Sequence, residues 1–169
     1  MIKSNEYHKN LSTINWGKLK EKEFKLLCID LDNTLDFPDR ETKYISPDLR
    51  LLLKEIDLLG FELIIFSNNY EERVKSFADL TGYKYISYAR KPFPKNYKHK
   101  YLNKYNKKEI VFIGDKIITD VIGGNLFGGY TILVDPLTKD KKHWYTKIMS
   151  LIENTFRGIT RFKKGCYFD

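Results

Sequence analysis

The chain has 169 residues, 42% of them hydrophobic and 15% aromatic, which fits one globular domain with a single core. The sequence has no apolar run of transmembrane length, no signal-peptide stretch at its start and only two cysteines, so we expect a cytoplasmic protein. The net charge of +8 suits an anionic partner (a phosphorylated substrate, a nucleic acid or an acidic membrane surface), unless it reflects only a lysine-rich composition.

Five apolar runs predict β-strands, and segments with helical spacing lie between them. In chain order the predicted strands are residues 24–29, 61–66, 83–87, 110–113 and 130–134, of which 83–87 is the weakest. The first predicted helix starts at Pro47, behind a good N-cap in Ser46, and ends at Gly60. The other predicted helices are residues 71–80, 94–105, 119–127 and 143–156.

This alternation of strands and helices predicts right-handed βαβ crossovers and a mostly parallel central sheet with helices on both faces, which is a three-layer α/β fold. We divide the chain into an N-terminal extension (1–23), a single domain (24–156) and a basic, aromatic C-terminal tail (157–169). In open parallel sheets, ligands bind outside the carboxyl ends of the strands. The residues that follow the strands are therefore the candidate functional site.

The polar side chains expected at this edge of the sheet are of the kinds that act on phosphates. They are, in chain order, Asp30, Asp32, Ser67, Asn68, Lys91, Asp115 and Asp120. Clustered carboxylates match Mg²⁺, which would offset the repulsion between Asp30 and Asp32 at the end of a hydrophobic strand. We expect Asp115 to bind this ion, and Asp120 to orient the waters of the ion or Lys91 from a second shell.

Each of the remaining residue types has a role in phosphate-ester hydrolysis. Asp30 is placed to accept a phosphoryl group as an aspartyl-phosphate, and Asp32 suits general acid–base work. We expect Ser67, Asn68 and Lys91 to bind the phosphate, with Lys91 also neutralising charge shared with Asp30. Taken singly, these motifs have ordinary explanations as chance pairs, turns or helix caps. Their combination in chain order indicates a phosphatase.

The motifs resemble those of the haloacid dehalogenase (HAD) superfamily of phosphotransferases. "DLDNTL" looks like the first motif of that superfamily, "IIFSNN" like the second, Lys91 like the third and "GDKIITDVIGGNLFG" like the fourth. The resemblance runs from about residue 24 to 135 and implies a Rossmann-like fold, Mg²⁺ dependence, Asp30 as nucleophile and Asp32 as acid/base. It also implies that the backbone carbonyl of Asp32 joins Asp30 and Asp115 on the metal.

Within the superfamily, "RKP" and "TDVIGGNLFG" in so short a chain are similar to the bacterial YqeG family of subclass IIIA, which is related to mitochondrial phosphatidylglycerophosphate phosphatases. That resemblance implies removal of the terminal phosphate from phosphatidylglycerophosphate to give phosphatidylglycerol. The chain departs from related sequences at Lys116, where they often carry glutamine. Both neighbouring acids are intact, so we expect metal binding to be undisturbed.

The spacing of the motifs leaves no room for a cap domain, which many HAD enzymes insert after the first or second motif. About fifteen residues separate Asp32 from Pro47, and Ser67 lies 24 residues before Lys91, whereas a folded domain needs about 50 residues. An uncapped site stays open. It suits a phosphate carried by a large molecule, namely a lipid in a bilayer, a nucleic-acid end or a protein.

Two basic, aromatic segments, residues 90–108 and 157–169, are candidates for peripheral contact with an anionic membrane, at roughly 1 kcal/mol per basic residue. The alternative is a solvated helix face and a tail packed on the core. Interleaved lysines and tyrosines also fit a phosphatase that acts on nucleic-acid ends or other phosphomonoesters. A third possibility is a non-catalytic module that binds RNA or ribosomes, although inactive relatives would be expected to lose some of the acids.

Overall fold

The computed structural model describes residues 4–38, 41–93, 100–138 and 167–169. Its strands are β1 (Glu6–His8), β2 (Leu26–Ile29), β3 (Glu62–Phe66), β4 (Lys84–Ile86), β5 (Ile110–Gly114) and β6 (Tyr130–Val134). They form one parallel sheet in the order β1-β6-β5-β2-β3-β4. The helices are α1 (Trp16–Glu21), α2 (Pro47–Leu58), α3 (Glu71–Thr81) and α4 (Gly123–Phe127), and a π-helical segment, Ile117–Ile122, leads directly into α4.

The predicted α/β fold with a parallel central sheet is confirmed, and β2 to β6 match the predicted strands to within two residues. One helix prediction is wrong in its described part: residues 100–105 form only a short 3₁₀ helix, Leu102–Lys104, where the apolar spacing predicts an α-helix. Residues 94–99 of that predicted helix, and the whole helix predicted at 143–156, lie outside the described residues.

Residues near the N-terminus contribute to the sheet and to its core. β1 pairs with β6 in parallel, and Tyr7 in its centre is fully buried. Trp16 and Leu19 of α1 are buried in the same core as the central strands. At the other end of the chain, Phe168 and Tyr7 exchange backbone hydrogen bonds in an antiparallel bridge, so that residues 167–169 lie along the outer edge of β1.

The strands are hydrophobic on both faces, as expected for a parallel sheet covered on both sides. Alternate residues of β2 and β3 enter two separate clusters, Leu27, Ile29, Leu63 and Ile65 on one face, and Leu26, Cys28, Ile64 and Phe66 on the other. β2 lies between β5 and β3, so its carboxyl end is flanked by a strand end on each side. This central position determines where the polar residues after β2 are held.

Local signals set the ends of the two long helices. The Ser46 side chain accepts a hydrogen bond from the backbone N–H of Leu49, and Pro47 occupies the first turn of α2, as predicted. α3 ends at Gly82, whose φ of 77° is in the left-handed region that favours glycine. Among the described residues, no helix combines the length and the apolar character needed to cross a bilayer.

Candidate active site

The ends of three neighbouring strands place the predicted acids side by side. Ile29, the last residue of β2, is level with Ile65 of β3 and with Ile113 of β5. Asp30 and Asp115 therefore follow adjacent strands at the same edge of the sheet. The backbone N–H of Asp30 donates to the carbonyl of Ile113 across 2.8 Å, which fixes the start of the loop after β2.

Asp30, Asp115 and Asp120 form a buried acidic cluster in which one carboxylate oxygen from each lies within 4.8 Å of the others. Their exposed fractions are only 5%, 7% and 4%. Lys91 enters this cluster from the loop after β4, and its Nζ donates to one oxygen of Asp30 and to one of Asp120, each across 2.6 Å. The cluster thus joins residues from three separate loops around one ammonium group.

Asp120 is closer to the centre of the site than the sequence leads us to expect. The π-helical segment after β5 turns its carboxylate back towards Gly114, and the backbone N–H of Lys116 donates to its second oxygen across 3.1 Å. A Cβ atom at Gly114 would lie 2.3 Å from the Asp120 carboxyl group, so only glycine leaves room for it. Asp120 offers an oxygen to the same space as Asp30 and Asp115.

The acidic cluster carries more negative charge than its buried lysine neutralises. Burial raises the pKa of Asp115 to about 7, and the charges of Asp30 and Asp120 add to this effect against the opposing charge of Lys116. Burial alone would lower the pKa of the Lys91 ammonium, but the carboxylates of Asp120 and Asp30 outweigh it and raise that pKa. Three oxygen donors around a shared space with excess negative charge fit a hard divalent cation.

Ser67 and Asn68 follow β3, the strand next to β2, and have different contacts. Ser67 is buried, and its Oγ accepts a hydrogen bond from the backbone N–H of Asn69. The Asn68 side chain pairs with the backbone of Lys91: its Nδ2 donates to the Lys91 carbonyl across 3.0 Å, and its Oδ1 accepts from the Lys91 N–H across 2.6 Å. The contacts of Asn68 hold the loop that carries Lys91.

The side chain of Asp32 lies outside the acidic cluster, in a contact with α3. Its Oδ2 accepts a hydrogen bond from Asn69 across 2.9 Å, and its Oδ1 lies 3.0 Å from a guanidinium nitrogen of Arg73. Burial raises the pKa of Asp32, and the contacts with Asn69 and Arg73 oppose this rise. The sequence motifs do not include Arg73. Its one sequence signal is its position on the apolar face of α3, four residues before Phe77.

Comparisons with known proteins identify the family. The family described as mitochondrial PGP phosphatase matches residues 5–138. The chain belongs to this family. Probable phosphatase YqeG of Bacillus subtilis (strain 168) is 43% identical over 133 residues, which cover 78% of this chain and 76% of that protein. The prediction of a phosphomonoester hydrolase related to YqeG and to phosphatidylglycerophosphate phosphatases is therefore confirmed.

More distant relatives share part of the sequence or only the fold. Phosphatidylglycerophosphate phosphatase 1, chloroplastic/mitochondrial, of Arabidopsis thaliana is 26% identical over 155 residues, which cover 86% of this chain and 44% of that protein. An uncharacterized protein from Listeria monocytogenes serotype 4b has a similar structure, with a TM-score of 0.55 at 18% identity over 71% of this chain and 85% of its own. The structure of a hypothetical protein from Xanthomonas campestris has a TM-score of 0.53 at 12% identity, and the match covers 87% of this chain and 93% of that protein. These two structures support the fold of this PGP phosphatase family member.

Proposed function

We propose that this protein is a Mg²⁺-dependent phosphatase that works through an aspartyl-phosphate on Asp30 and converts phosphatidylglycerophosphate to phosphatidylglycerol. The observation that carries the proposal is the meeting of Asp30, Asp115 and Asp120 within 4.8 Å at the carboxyl end of the central strand. Lys91, which donates to two of these carboxylates, adds a cation where phosphoryl oxygens would lie.

Magnesium is the metal that we propose for the acidic cluster, because all the donors are oxygens and the partner is a phosphate. Asp30, Asp115 and the backbone carbonyl of Asp32 would hold the ion, and Asp120 would orient its waters and Lys91. The bound ion would neutralise negative charge on the phosphoryl group during transfer. Its removal by a chelator is expected to abolish turnover.

The chemistry then follows from the side chains in two balanced steps. A carboxylate oxygen of Asp30 attacks phosphorus, the bond from phosphorus to the lipid oxygen breaks, and Asp32 gives that oxygen its proton. Asp32 next takes a proton from a water molecule whose oxygen attacks phosphorus, and the bond to Asp30 breaks to release phosphate. Ser67 and Lys91 hold the phosphoryl oxygens throughout, while Asn68 positions Lys91 and borders the phosphate.

The short connections between the motifs support a lipid substrate. The described residues between β2 and α2, and between Ser67 and Lys91, contain loop, α3 and β4 but no inserted domain that could cover the site. The relative from Arabidopsis thaliana is itself a phosphatidylglycerophosphate phosphatase. A site without an inserted cap domain would allow a phosphate to be reached while the rest of the lipid stays in a bilayer.

A panel of phosphorylated substrates tests this proposal. Phosphate release should be fastest from phosphatidylglycerophosphate in detergent micelles, slower from glycerol 3-phosphate, and lower still from 3′- or 5′-phosphorylated oligonucleotides. Asp30→Asn should abolish release while circular dichroism shows an intact fold, and EDTA should abolish it until Mg²⁺ is restored. Faster phosphate release from oligonucleotides than from the lipid would indicate that nucleic-acid ends are the substrate. Full activity of Asp30→Asn would exclude Asp30 as the nucleophile.

We also propose that the protein is cytoplasmic and contacts the anionic inner face of the membrane peripherally through its basic segments. Most of the C-terminal segment lies outside the described residues, but its last residues do not extend from the protein: Phe168 packs against Tyr7, and the Tyr167 hydroxyl donates to Asp135. The basic residues, rather than these aromatic ones, should therefore carry the contact. Cosedimentation with anionic vesicles at low salt, lost at high salt, is the expected result, and its absence at low salt would contradict this proposal.

A further inference from the structure

Arg73 is a buried cation on α3 that lies against the proposed acid–base residue. Its side chain is 2% exposed, and its Nη2 lies 3.0 Å from Oδ1 of Asp32, whose side chain is 15% exposed. Asn69, in the connection between β3 and α3, donates from Nδ2 to the other oxygen of Asp32. Both oxygens of this carboxylate are thus contacted by groups that follow β3.

The guanidinium of Arg73 is itself held in place by the loop after β2. Its Nη1 donates to the hydroxyl of Thr42 across 2.8 Å, and its Nη2 donates to the carbonyl of Phe37 across 3.0 Å and to Asp36 Oδ2 across 3.2 Å. The Thr42 hydroxyl donates in turn to Asp36 across 2.6 Å. Because a guanidinium is planar and its donors are fixed relative to one another, these contacts set the direction of the nitrogen that meets Asp32.

The contact with Asp32 differs from the other contacts of Arg73. The Asp32 oxygen that faces Arg73 has no hydrogen bond in the described part of the chain, so the two groups form an ion pair without an aligned N–H bond. The pair restrains this buried oxygen through charge, so proton transfer falls to the other oxygen, Oδ2, which accepts one hydrogen bond from Asn69. A group that must release a proton and then accept one needs its carboxylate held in one orientation, and the ion pair supplies that restraint from the buried side.

We propose that Arg73 is a positioning residue for catalysis, which holds Asp32 where it can protonate the leaving lipid oxygen and then deprotonate the attacking water. This inference rests on the proposed phosphatase mechanism. In the first step Asp32 loses its proton as the bond from phosphorus to the lipid oxygen breaks. In the second it regains a proton from water as the bond from phosphorus to Asp30 breaks. Among the described residues Arg73 forms no ion pair with the acidic cluster, and we assign it no contact with the substrate, so that it acts through Asp32.

Pre-steady-state kinetics of Arg73→Met with p-nitrophenyl phosphate test the inference. Nitrophenolate leaves without a proton, so phosphorylation of Asp30 should persist and give a burst close to one equivalent per enzyme. Hydrolysis of the aspartyl-phosphate needs Asp32, so the phase after the burst should be at least tenfold slower than in the unaltered protein. Arg73→Lys, which keeps the charge without the planar fork, should restore part of this rate.

Controls separate positioning from folding and from the proposed function. A merely structural role would lower the burst and the later phase together, whereas Lys75→Met on the exposed face of α3 should change neither. If Arg73→Met does not fold, Thr42→Val, which removes one anchor of the guanidinium, should slow the later phase by the same mechanism. An unchanged later phase in the folded variants overturns the inference. Absence of any phosphate release from the unaltered protein would instead overturn the proposed function.

Discussion

Lys91 donates from Nζ to an oxygen of Asp120 across 2.6 Å, and this contact joins the loop after β4 to the π-helical segment after β5. Both side chains are almost fully buried, and the same ammonium also meets Asp30. Burial of three carboxylates is costly unless cations compensate their charge. Lys91 therefore supports the structure of the site as well as its chemistry, and the two contributions can be measured separately.

We expect Lys91→Met to lower the free energy of unfolding by about 3–5 kcal/mol in EDTA, because it leaves buried carboxylates without their ammonium. Mg²⁺ should recover part of this loss, since a divalent cation in the acidic cluster replaces the missing charge. Turnover should remain at least about 100-fold below that of the unaltered protein, because the ion does not replace the hydrogen bonds of Lys91 to phosphate. Urea unfolding with and without Mg²⁺, together with phosphate release, measures these effects.

The matched control for this experiment is Lys84→Met. Lys84 forms an ion pair with Glu62 at the other end of the sheet, where both side chains are partly exposed. Loss of such an exposed pair should change the stability little, and the change should not depend on Mg²⁺. Equal responses of the two variants to Mg²⁺ would show that Lys91 does not share its carboxylates with an ion.

A second prediction concerns the space that glycine leaves for Asp120. In Gly114→Ala the new Cβ would lie 2.3 Å from the Asp120 carboxyl group, so that this side chain must leave the acidic cluster. We expect a loss of about 1–3 kcal/mol in stability from overpacking and a loss of about 100-fold in turnover from displacement of the carboxylate. Thermal unfolding and phosphate release per folded molecule provide the two measurements.

Gly124→Ala is the control for overpacking without displacement of an acid. Its Cβ would lie 2.5 Å from the Thr131 methyl group and 3.0 Å from the Phe112 Cβ, away from the acidic cluster. It should be destabilised to a similar extent while each folded molecule keeps its turnover. Similar losses of turnover in both variants would mean that the loss in Gly114→Ala does not come from displacement of Asp120.

The sequence predicts β2, β3, β5 and β6 well because their signals are local: each is a largely apolar run, whereas β4 is short and has the weakest signal. The ends of the long helices are also local, since α2 starts behind Ser46 and α3 ends at Gly82. β1 has no such signal: it is three residues long, and Glu6 and His8 flank Tyr7. These two polar side chains can be buried because they form a hydrogen bond with each other. Glu6 also accepts hydrogen bonds from Lys22, which follows α1, and from Tyr130 of β6. Only the tertiary structure brings these partners together.

The acids of the site could be predicted as a set, but their arrangement could not. Asp30 and Asp115 end adjacent strands, so topology alone places them together. Asp120 reaches the cluster through a π-helical turn, which the apolar spacing of its segment does not distinguish from an α-helix. Arg73 meets Asp32 across a separation of 41 residues, and a charged residue on an apolar helix face was its one local sign.

Glu6, which lies on β1 and not in the acidic cluster, should make the stability of the protein depend on pH in the acidic range. Burial alone would raise its pKa, but hydrogen bonds with His8, Tyr130 and Lys22 outweigh burial and lower that pKa from 4.5 to about 2. The unfolded chain therefore binds more protons than the folded one between these two pH values. Stability from Glu6 is fully present above about pH 4.5 and is lost as the pH falls towards 2, by up to about 3 kcal/mol.

Urea unfolding at pH 5 and at pH 3 measures this loss. Glu6→Gln should be less stable than the unaltered protein at pH 5, and its stability should change less between the two pH values. Glu55→Gln, a change at an exposed position of α2, should leave the pH dependence as it is. If the stability of Glu6→Gln changes between pH 5 and pH 3 as much as that of the unaltered protein, other carboxylates account for the acid sensitivity.

The last prediction concerns Lys116, because the contact of its side chain changes the expectation from the sequence that metal binding is undisturbed. Its Nζ lies 3.4 Å from an oxygen of Asp115, its side chain is 44% exposed, and attraction by Asp115 raises the pKa of Lys116. The ammonium therefore competes with Mg²⁺ for a carboxylate that we propose as a metal ligand. For a partly exposed pair this competition is worth about 0.5–1 kcal/mol, so Lys116→Gln should bind Mg²⁺ about two- to fivefold more tightly.

The midpoint of Mg²⁺ activation in phosphate release, and calorimetric titration of Mg²⁺ without substrate, measure the same affinity independently. Both should shift to lower Mg²⁺ in Lys116→Gln, whereas Lys75→Gln on α3 should shift neither. Increasing salt should reduce the difference, because screening weakens an exposed charge pair more than the coordination of a metal ion. A midpoint that is unchanged or higher in both measurements would mean that Lys116 does not compete with Mg²⁺ for Asp115.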